Sequence, residues 1–279
     1  MAIANVNGVI AGCQPGVFFY KNLFVPVVNR PFSLFYQSGI PGPAVAPTPG
    51  ISGAALTSYP GQLRFVNPGA GETTYLARFS TLAYRVTGTA LPPGSVMLAD
   101  RLWHNSGISI TSSASQAVNS VAFPPRDANG TTNGLAVLLG LEISTATSGA
   151  VTPTITVEYT NENNVARTIA GGTAATTTLP TGSTTAGTFT YLNLYGSDRG
   201  VRSIQNITFT TPYSSGVAHL VAYRKIASVL LGYADVPNDV NPLTGGMPVM
   251  YDNTVPFVVM TPTQDIDTYC QGMMTVTQG

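Results

Sequence analysis

Four segments between residues 135 and 226 decide the fold: LAVLLGLEIST (135–145), PTITVEYTN (153–161), RSIQNITFTT (202–211) and GVAHLVAYRKI (216–226). Each is rich in β-branched, aromatic or leucine side chains and is bounded by Gly, Ser, Asn or Pro, a pattern typical of strands. In the second segment alternate residues are apolar, as in a strand with one buried face. The linkers predict that the first two segments form one hairpin and the last two another. We expect these strands to form the centre of a β-sandwich.

More strand-like segments flank this centre, and no convincing helical pattern accompanies them: LRFV (63–66), TYLARFSTLAYRV (74–86), SVMLADRLWHNSGISIT (95–111) and VPFVVM (255–260). Runs of short strands with frequent turn residues predict an all-β fold, an antiparallel, jelly-roll-like β-sandwich. The tract at 163–188 is rich in Thr, Ala and Gly and has almost no large side chain. It is predicted to be a long loop, or a segment that only a partner orders. The loop FPPRDANGTTNG (123–134) is expected on the surface.

The N-terminal stretch NLFVPVVNRPFSLFYQSGIPGPAVAPTPG (22–50) has a proline every few residues. This density argues against a regular helix or a central strand, and the aromatic content argues against a disordered linker. The sequence therefore predicts an extended arm at 1–62, a sandwich core at 63–232 and a C-terminal extension with returning strands at 233–279. Aromatic anchors are favoured at interfaces, so the candidate partner contacts are Phe18, Phe19, Tyr20, Phe24, Phe32, Phe35 and Tyr36. The alternative is that these side chains pack on the core of their own subunit.

Charge is scarce: 9% of the residues are charged and the formal net charge is +0, against about 25% charged residues in ordinary domains. Nucleic acid and anionic lipid need clustered Lys and Arg, so neither a nucleic acid nor a membrane is an expected partner. No segment reaches the ~18 apolar residues of a membrane span, and MAIANVNGVIAG does not read as a signal peptide. Near-zero net charge favours self-association or docking into a larger assembly.

The titratable residues give little support for catalysis, because there are only two histidines and twelve carboxylates. The sequence predicts no catalytic residues, no cofactor and no metal site, and the protein is not expected to be an enzyme. A polymer hydrolase is disfavoured because no pair of carboxylates can be picked out for it. Trp103, His104 and Asn105 form a candidate ligand loop for a glycan, with an aromatic ring beside polar groups. Cys13 and Cys270 are expected to be unpaired, buried thiols, since cysteine is among the residues most often buried; a disulfide between them is the alternative.

Several segments in order resemble proteins that tailed bacteriophages and prophages encode among their virion genes: LARFSTLAYRVTG (76–88), DRLWHNSGISIT (100–111), DRGVRSIQNITFTT (198–211) and VAHLVAYRKIA (217–227). The resemblance implies a structural role in the virion, after assembly in the host cytoplasm, and brings no catalytic residue with it. The expected role is capsid decoration or cement, as a homo-oligomer such as a trimer, with the major capsid protein or other virion proteins as partners. The alternative is a glycan-binding or receptor-binding β-sandwich of the neck, tail or fibre.

Overall fold

A computed structural model describes residues 3, 5–23, 27–85, 94–149, 152–169, 177–181, 184–232, 236–263 and 268–279. These residues are mostly in antiparallel strands, so the predicted all-β, antiparallel sandwich class is confirmed. The elements in chain order are α1 (Val6–Gly12), β1 (Val17–Leu23), β2 (Phe32–Ser33), a 3-10 helix (Leu34–Tyr36), β3 (Gly39–Ile40), β4 (Ala54–Ala55), β5 (Thr74–Arg85), β6 (Gly94–His104), β7 (Gln116–Ala117), β8 (Val137–Ser148), β9 (Thr154–Asn161), β10 (Ala166–Thr168), β11 (Thr177–Thr178), β12 (Phe189–Leu192), β13 (Val201–Thr211), β14 (Ser215–Leu231), β15 (Asn238–Val240), α2 (Pro242–Gly245), β16 (Val249–Met250), β17 (Pro256–Pro262) and β18 (Thr268–Gln278). No helix within these ranges has the length and apolarity that a membrane crossing needs.

The chain divides into two compact units, each with its own hydrophobic core. The split unit is made of Met1–Val45, Thr57–Asp100 and Lys225–Gly279, and the inserted unit of Ala46–Leu56 and Arg101–Arg224. This division differs from the predicted one, because the boundaries at 62 and 232 both fall inside the split unit. The physical reason is strand pairing: the C-terminal β18 pairs with β5 and with β1, which joins the ends of the chain in one sheet.

The split unit is a two-layer sandwich. Its larger sheet has the order β15-β5-β18-β1-β3, with β16 also paired to β5. In its second layer β17 pairs with β2 and with residues 94–100 of β6. The core between the layers takes side chains from both, among them Phe19, Phe79, Met274, Leu98 and Val258. The segment predicted as an arm therefore supplies an interior strand, β1, and three core side chains, Phe19, Phe32 and Leu34.

The inserted unit is a second two-layer sandwich. One layer has the order β10-β9-β13-β7, and β11 pairs with the same edge of β9 as β10 does. In the other layer β8 pairs with β12 and with β14, and β4 pairs with the end of β6. The core includes Trp103, Tyr159, Leu139, Ile204 and Phe209. Residues of the predicted central block thus form the middle of this unit.

The two predicted hairpins are wrong. β8 pairs with β14, from His219↔Glu142 to Arg224↔Val137, whereas β9 pairs with β13. The linkers after β8 and after β13 cross from one layer to the other, so consecutive strands face each other through the core instead of sharing hydrogen bonds. The described parts of the tract at 163–188 contain more regular structure than expected, since β10 and β11 pair with β9 and Thr184 bridges to Thr147.

Candidate interaction surface

The outer face of the larger sheet of the split unit carries a row of aromatic and apolar side chains. Strand alternation points Phe19, Phe79 and Met274 into the core, so their neighbours in sequence point outward. The outward set, which we call the tyrosine face, is Phe18, Tyr20, Tyr84, Tyr269 and Met273. Register brings its members together, because Phe18 lies opposite Met273 and Tyr269 lies opposite Tyr84.

Three tyrosine rings stack across the three adjacent strands of this face. The ring centroids of Tyr84 and Tyr269 are 5.0 Å apart, and those of Tyr20 and Tyr269 are 5.8 Å apart, with nearly parallel planes. Each such pair contributes about 0.5–1.5 kcal/mol beyond the area that it buries. Phe18 and Met273 are 49% and 39% exposed, and the tyrosines are partly exposed. The stack is a rigid, half-exposed aromatic surface of the kind found at protein interfaces.

The candidate partner-contact residues of the arm differ in exposure. Phe18 and Tyr20 belong to the tyrosine face, and Tyr36 is partly buried. Phe19, Phe32 and Phe35 are buried in their own unit, with Phe19 against Phe79 and Phe35 against Phe257. As partner contacts these three are corrected, because apolar rings on the inward side of β1, on β2 and on the 3-10 helix fill the core. Phe24 lies outside the described residues.

Trp103, His104 and Asn105 do not form an exposed ligand loop. All three are buried at the end of β6 and just after it. The indole Nε1 of Trp103 donates to the carbonyl of Ser52, and the side chain of Asn105 donates to the carbonyl of Ile51 and accepts from the amide of Leu220. The correction has a physical reason: these polar groups satisfy the backbone of neighbouring segments, so they are not available to a glycan.

A charged network lies beside them inside the inserted unit. The guanidinium of Arg101 contacts the Glu142 carboxylate at 2.6 Å, and both side chains are fully buried. Arg101 Nε donates to His104 Nδ1 at 3.2 Å, so this nitrogen carries no proton. Burial, together with the nearby charge of Arg101, lowers the pKa of His104 to about 2. His104 is therefore neutral at physiological pH and serves as an acceptor.

His219 is also neutral, because burial lowers its pKa. Its Nδ1 lies 2.7 Å from the carbonyl oxygen of Asn105 and therefore carries the proton. Its Nε2 consequently accepts from Ser144 Oγ, also at 2.7 Å. A backbone carbonyl thus orients the imidazole of this serine–histidine pair, in the place that a carboxylate takes in a catalytic triad.

Lys21 is a buried cation on the inward side of β1. Its ammonium donates to the carbonyls of Gln37 at 3.1 Å and Pro41 at 2.6 Å. Burial lowers its pKa to about 8. These bonds fasten the turn at 37–42 to β1, which fixes the position of β3 at the edge of the sheet.

The inserted unit has an open groove of about 450 Å³. Its lining combines two tyrosine rings with an amide and a carboxylate, namely Tyr191, Tyr223, Asn193 and Asp198, together with Leu138, Leu192 and Leu194. The ring centroids of Tyr191 and Tyr223 are 6.4 Å apart. Asp198 is held by the hydroxyl of Tyr159 at 2.6 Å and the side-chain amide of Asn161 at 2.7 Å.

Metal ligands do not gather in the part of the chain that the structure describes: no group of three or more His, Cys, Asp or Glu could hold an ion there. Cys13 and Cys270 are free thiols; Cys270 is buried as predicted, whereas Cys13 is exposed. Burial raises the pKa of the Cys270 thiol to about 12, so it stays protonated and packs as an apolar side chain.

Comparisons with known proteins give no family. No protein-family model matches the chain, and no curated protein matches it. Among solved structures, an infectious bursal disease virus Gx strain chain is 8% identical with a TM-score of 0.19, covering 94% of this chain and 78% of that one. A chain of the VP2 subviral particle of the same virus is 7% identical with a TM-score of 0.18, covering 95% and 81%. Scores this low establish no shared fold, so this likeness carries no weight for function.

Proposed function

We propose that this chain is a non-enzymatic structural protein of a tailed-bacteriophage virion, bound outside the capsid as a decoration or cement protein. The observation that carries the proposal is the tyrosine face, a half-exposed aromatic surface on a rigid sheet. The resemblance of DRLWHNSGISIT and DRGVRS to phage virion proteins supports the same role. The partner is the major capsid protein or another virion protein, and the chain acts as a homo-oligomer, with a trimer favoured.

The chemistry of the surface suits docking to protein. Strand pairing and ring stacking hold the tyrosine face in place before any partner binds, so little conformational entropy is lost on docking. With 9% charged residues in the chain, long-range steering is weak, and contact must come from apolar area and hydroxyl groups. Aromatic rings are the side chains that most often carry the binding energy of such contacts.

Met273→Asp is expected to remove the protein from virions. Met273 lies opposite Phe18 on the tyrosine face, so a buried carboxylate there would lack a partner once the face is covered. Electron microscopy of particles made with the wild-type protein should show its density outside the head, and the variant should reduce its occupancy about tenfold or more. Val217→Asp is the matched control, because Val217 is also 39% exposed but belongs to the inserted unit. Density confined to the tail, or absence of the wild-type protein from virions, would contradict the proposal.

The groove of the inserted unit favours a second candidate, a glycan-binding module of the neck, tail or fibre. The partly exposed ring of Tyr191 offers a packing surface for the apolar face of a sugar ring, and the exposed amide of Asn193 offers hydrogen bonds to its hydroxyls. If this function holds, Tyr191→Ala abolishes binding on a glycan array, whereas Tyr195→Ala, at an exposed tyrosine outside the groove lining, leaves it intact. An array on which the wild-type protein binds no glycan would rule this candidate out.

A further inference from the structure

The chain contains three Asn-Gly dipeptides, at 7–8, 129–130 and 133–134. Such a dipeptide is open to spontaneous deamidation, because glycine has no Cβ to hinder the approach of its backbone nitrogen to the preceding side chain. The glycine nitrogen bonds to Cγ of the asparagine while the bond from Cγ to the side-chain nitrogen breaks. The attacking nitrogen gives its proton to solvent, and the departing group takes up a proton and leaves as ammonia. Water then opens the succinimide to aspartate or isoaspartate.

The nitrogen that would attack donates a hydrogen bond at each of these sites. The amide of Gly8 donates to the side chain of Asn5 at 3.0 Å, on the surface of the protein. The amide of Gly130 donates to the backbone carbonyl of Asp127 at 3.1 Å. The amide of Gly134 donates to the carboxylate of Asp127 at 3.0 Å, and this bond is buried. The surroundings of Gly134 therefore oppose the attack most strongly.

The side chain of Asn133 is exposed, so water reaches it and ammonia can leave. Protection has to come from Gly134, whose nitrogen must lose its proton in order to attack. The negative charge of the adjacent Asp127 carboxylate disfavours the anion that this loss creates. The carboxylate is itself held in place, because it also accepts from the amide and hydroxyl of Thr131 and from the amide of Leu135. The Gly134 nitrogen is thus kept directed at Asp127 and away from Cγ of Asn133.

We propose that the Asp127 carboxylate protects Asn133 from deamidation by holding the backbone amide of Gly134. This inference goes beyond the virion role and does not depend on it, since it concerns one loop of the inserted unit. The loop has no room for an isoaspartate product, which adds one atom to the backbone. A Cβ on Gly134 would already lie 2.1 Å from the carbonyl oxygen of Val201, and the next residue, Leu135, bridges to Gly200. Modification of Asn133 would therefore displace the segment that leads into β8.

Peptide mapping by mass spectrometry, after incubation at mildly alkaline pH, measures deamidation at each Asn-Gly dipeptide separately. In the folded wild type, Asn133 should deamidate about tenfold or more slowly than in the same chain unfolded in guanidinium chloride. Asp127→Ala should raise the rate at Asn133 in the folded protein about tenfold or more. Equal rates in the folded and unfolded wild type, or a folded Asp127→Ala variant that keeps the wild-type rate, would overturn the proposal.

Global destabilisation also accelerates deamidation, so a core variant of the same unit is the matched control. Phe209 is fully buried in the core of the inserted unit and lies toward the other end of β13 from Val201. Phe209→Ala lowers stability by leaving a cavity and leaves Asp127 in place. It should therefore raise the rate at Asn133 far less than Asp127→Ala does. An equal rise in the two variants would assign the protection to global folding and overturn the role of the carboxylate.

Amide hydrogen exchange tests the proposal on the wild type alone, so a failure of Asp127→Ala to fold does not prevent a decision. The buried amide of Gly134 should exchange slowly. Its exchange and the deamidation of Asn133 should accelerate in parallel as guanidinium chloride is added below the unfolding transition, because both need the same local opening. A Gly134 amide that exchanges at the rate of an unfolded chain, or a deamidation rate that does not follow its exchange, would refute the proposal.

Discussion

Glu142→Leu is expected to lower the free energy of unfolding of the inserted unit by about 3–5 kcal/mol, the usual result of removing one partner of a buried ion pair. The remaining guanidinium of Arg101 is fully buried and would lose its anionic partner. Trp103 is the only tryptophan of the chain and lies in the core of the same unit. Urea denaturation followed by its fluorescence therefore measures this unit.

A double-mutant cycle separates the ion pair from the packing. Arg101→Met should cost as much as Glu142→Leu, whereas the double variant should lose less than about 2 kcal/mol, because two apolar side chains can replace a buried pair. Asp239→Asn provides a contrast at the exposed pair with Arg78, where the expected loss is below about 1 kcal/mol. Because this pair lies in the split unit, its loss is measured by circular dichroism instead of tryptophan fluorescence. Additive losses in the double variant would show that the two charges do not stabilise each other.

Asp127→Ala is expected to cost about 3 kcal/mol in the same measurement. The carboxylate is buried and accepts from the amides of Asn129, Thr131, Gly134 and Leu135 at 2.8–3.2 Å, as well as from the Thr131 hydroxyl at 2.8 Å. Losing the acceptor leaves several donors without it, and hydrogen bonds to a charged group contribute about 1.5–3 kcal/mol each. The loop that leads into β8 depends on this one side chain.

The same carboxylate makes stability depend on pH. Burial alone would raise the pKa of Asp127, but the hydrogen bonds from Thr131, Asn129 and Leu135 outweigh it and hold the pKa below 3.8. A carboxyl whose pKa is lower in the folded state stabilises the fold above its unfolded pKa, and this stabilisation is lost as the pH falls through the folded value. The wild type should therefore lose stability below about pH 4. Asp127→Asn should show a smaller loss over this range, and an equal loss in both would refute the assignment.

Strand positions could be predicted from sequence, but partners could not. β8, β9, β13 and β14 lie where alternation and turn residues place them, since both signals are local. Pairing depends on whether a linker returns within one layer or crosses to the other, and a linker of several residues allows either. The predicted extended arm at 1–62 differs from the structure at 17–23, where β1 pairs along its whole length with β18, a strand about 250 residues later.

The candidate surface was partly predictable. Alternation in TYLARFSTLAYRV already separates Tyr84 from Phe79 and Ala83, but sequence does not say which set faces water. Tyr269 and Met273 had no signal of their own, because their role comes from register against Tyr84 and Phe18.

The burial of Asp127 and His104 was not predicted from the sequence. Asp127 sits in a stretch of Pro, Asn and Gly that resembles a solvated loop, and His104 follows a tryptophan as in a ligand site. Their hydrogen-bond partners are near in sequence, Arg101 for His104 and residues 129–135 for Asp127, but a local pattern does not show that these groups are buried.

Because β18 is made late in synthesis, its pairing determines when the larger sheet can form. A ribosome completes the inserted unit, up to Arg224, before it has produced β17 or β18. β1 and β5 must then wait for β18, which lies between them. A nascent chain interrupted before Thr268 has no tyrosine face, since Tyr269 and Met273 are absent and the strands that carry Tyr20 and Tyr84 are not joined. Only a polypeptide translated through β18 can offer this surface.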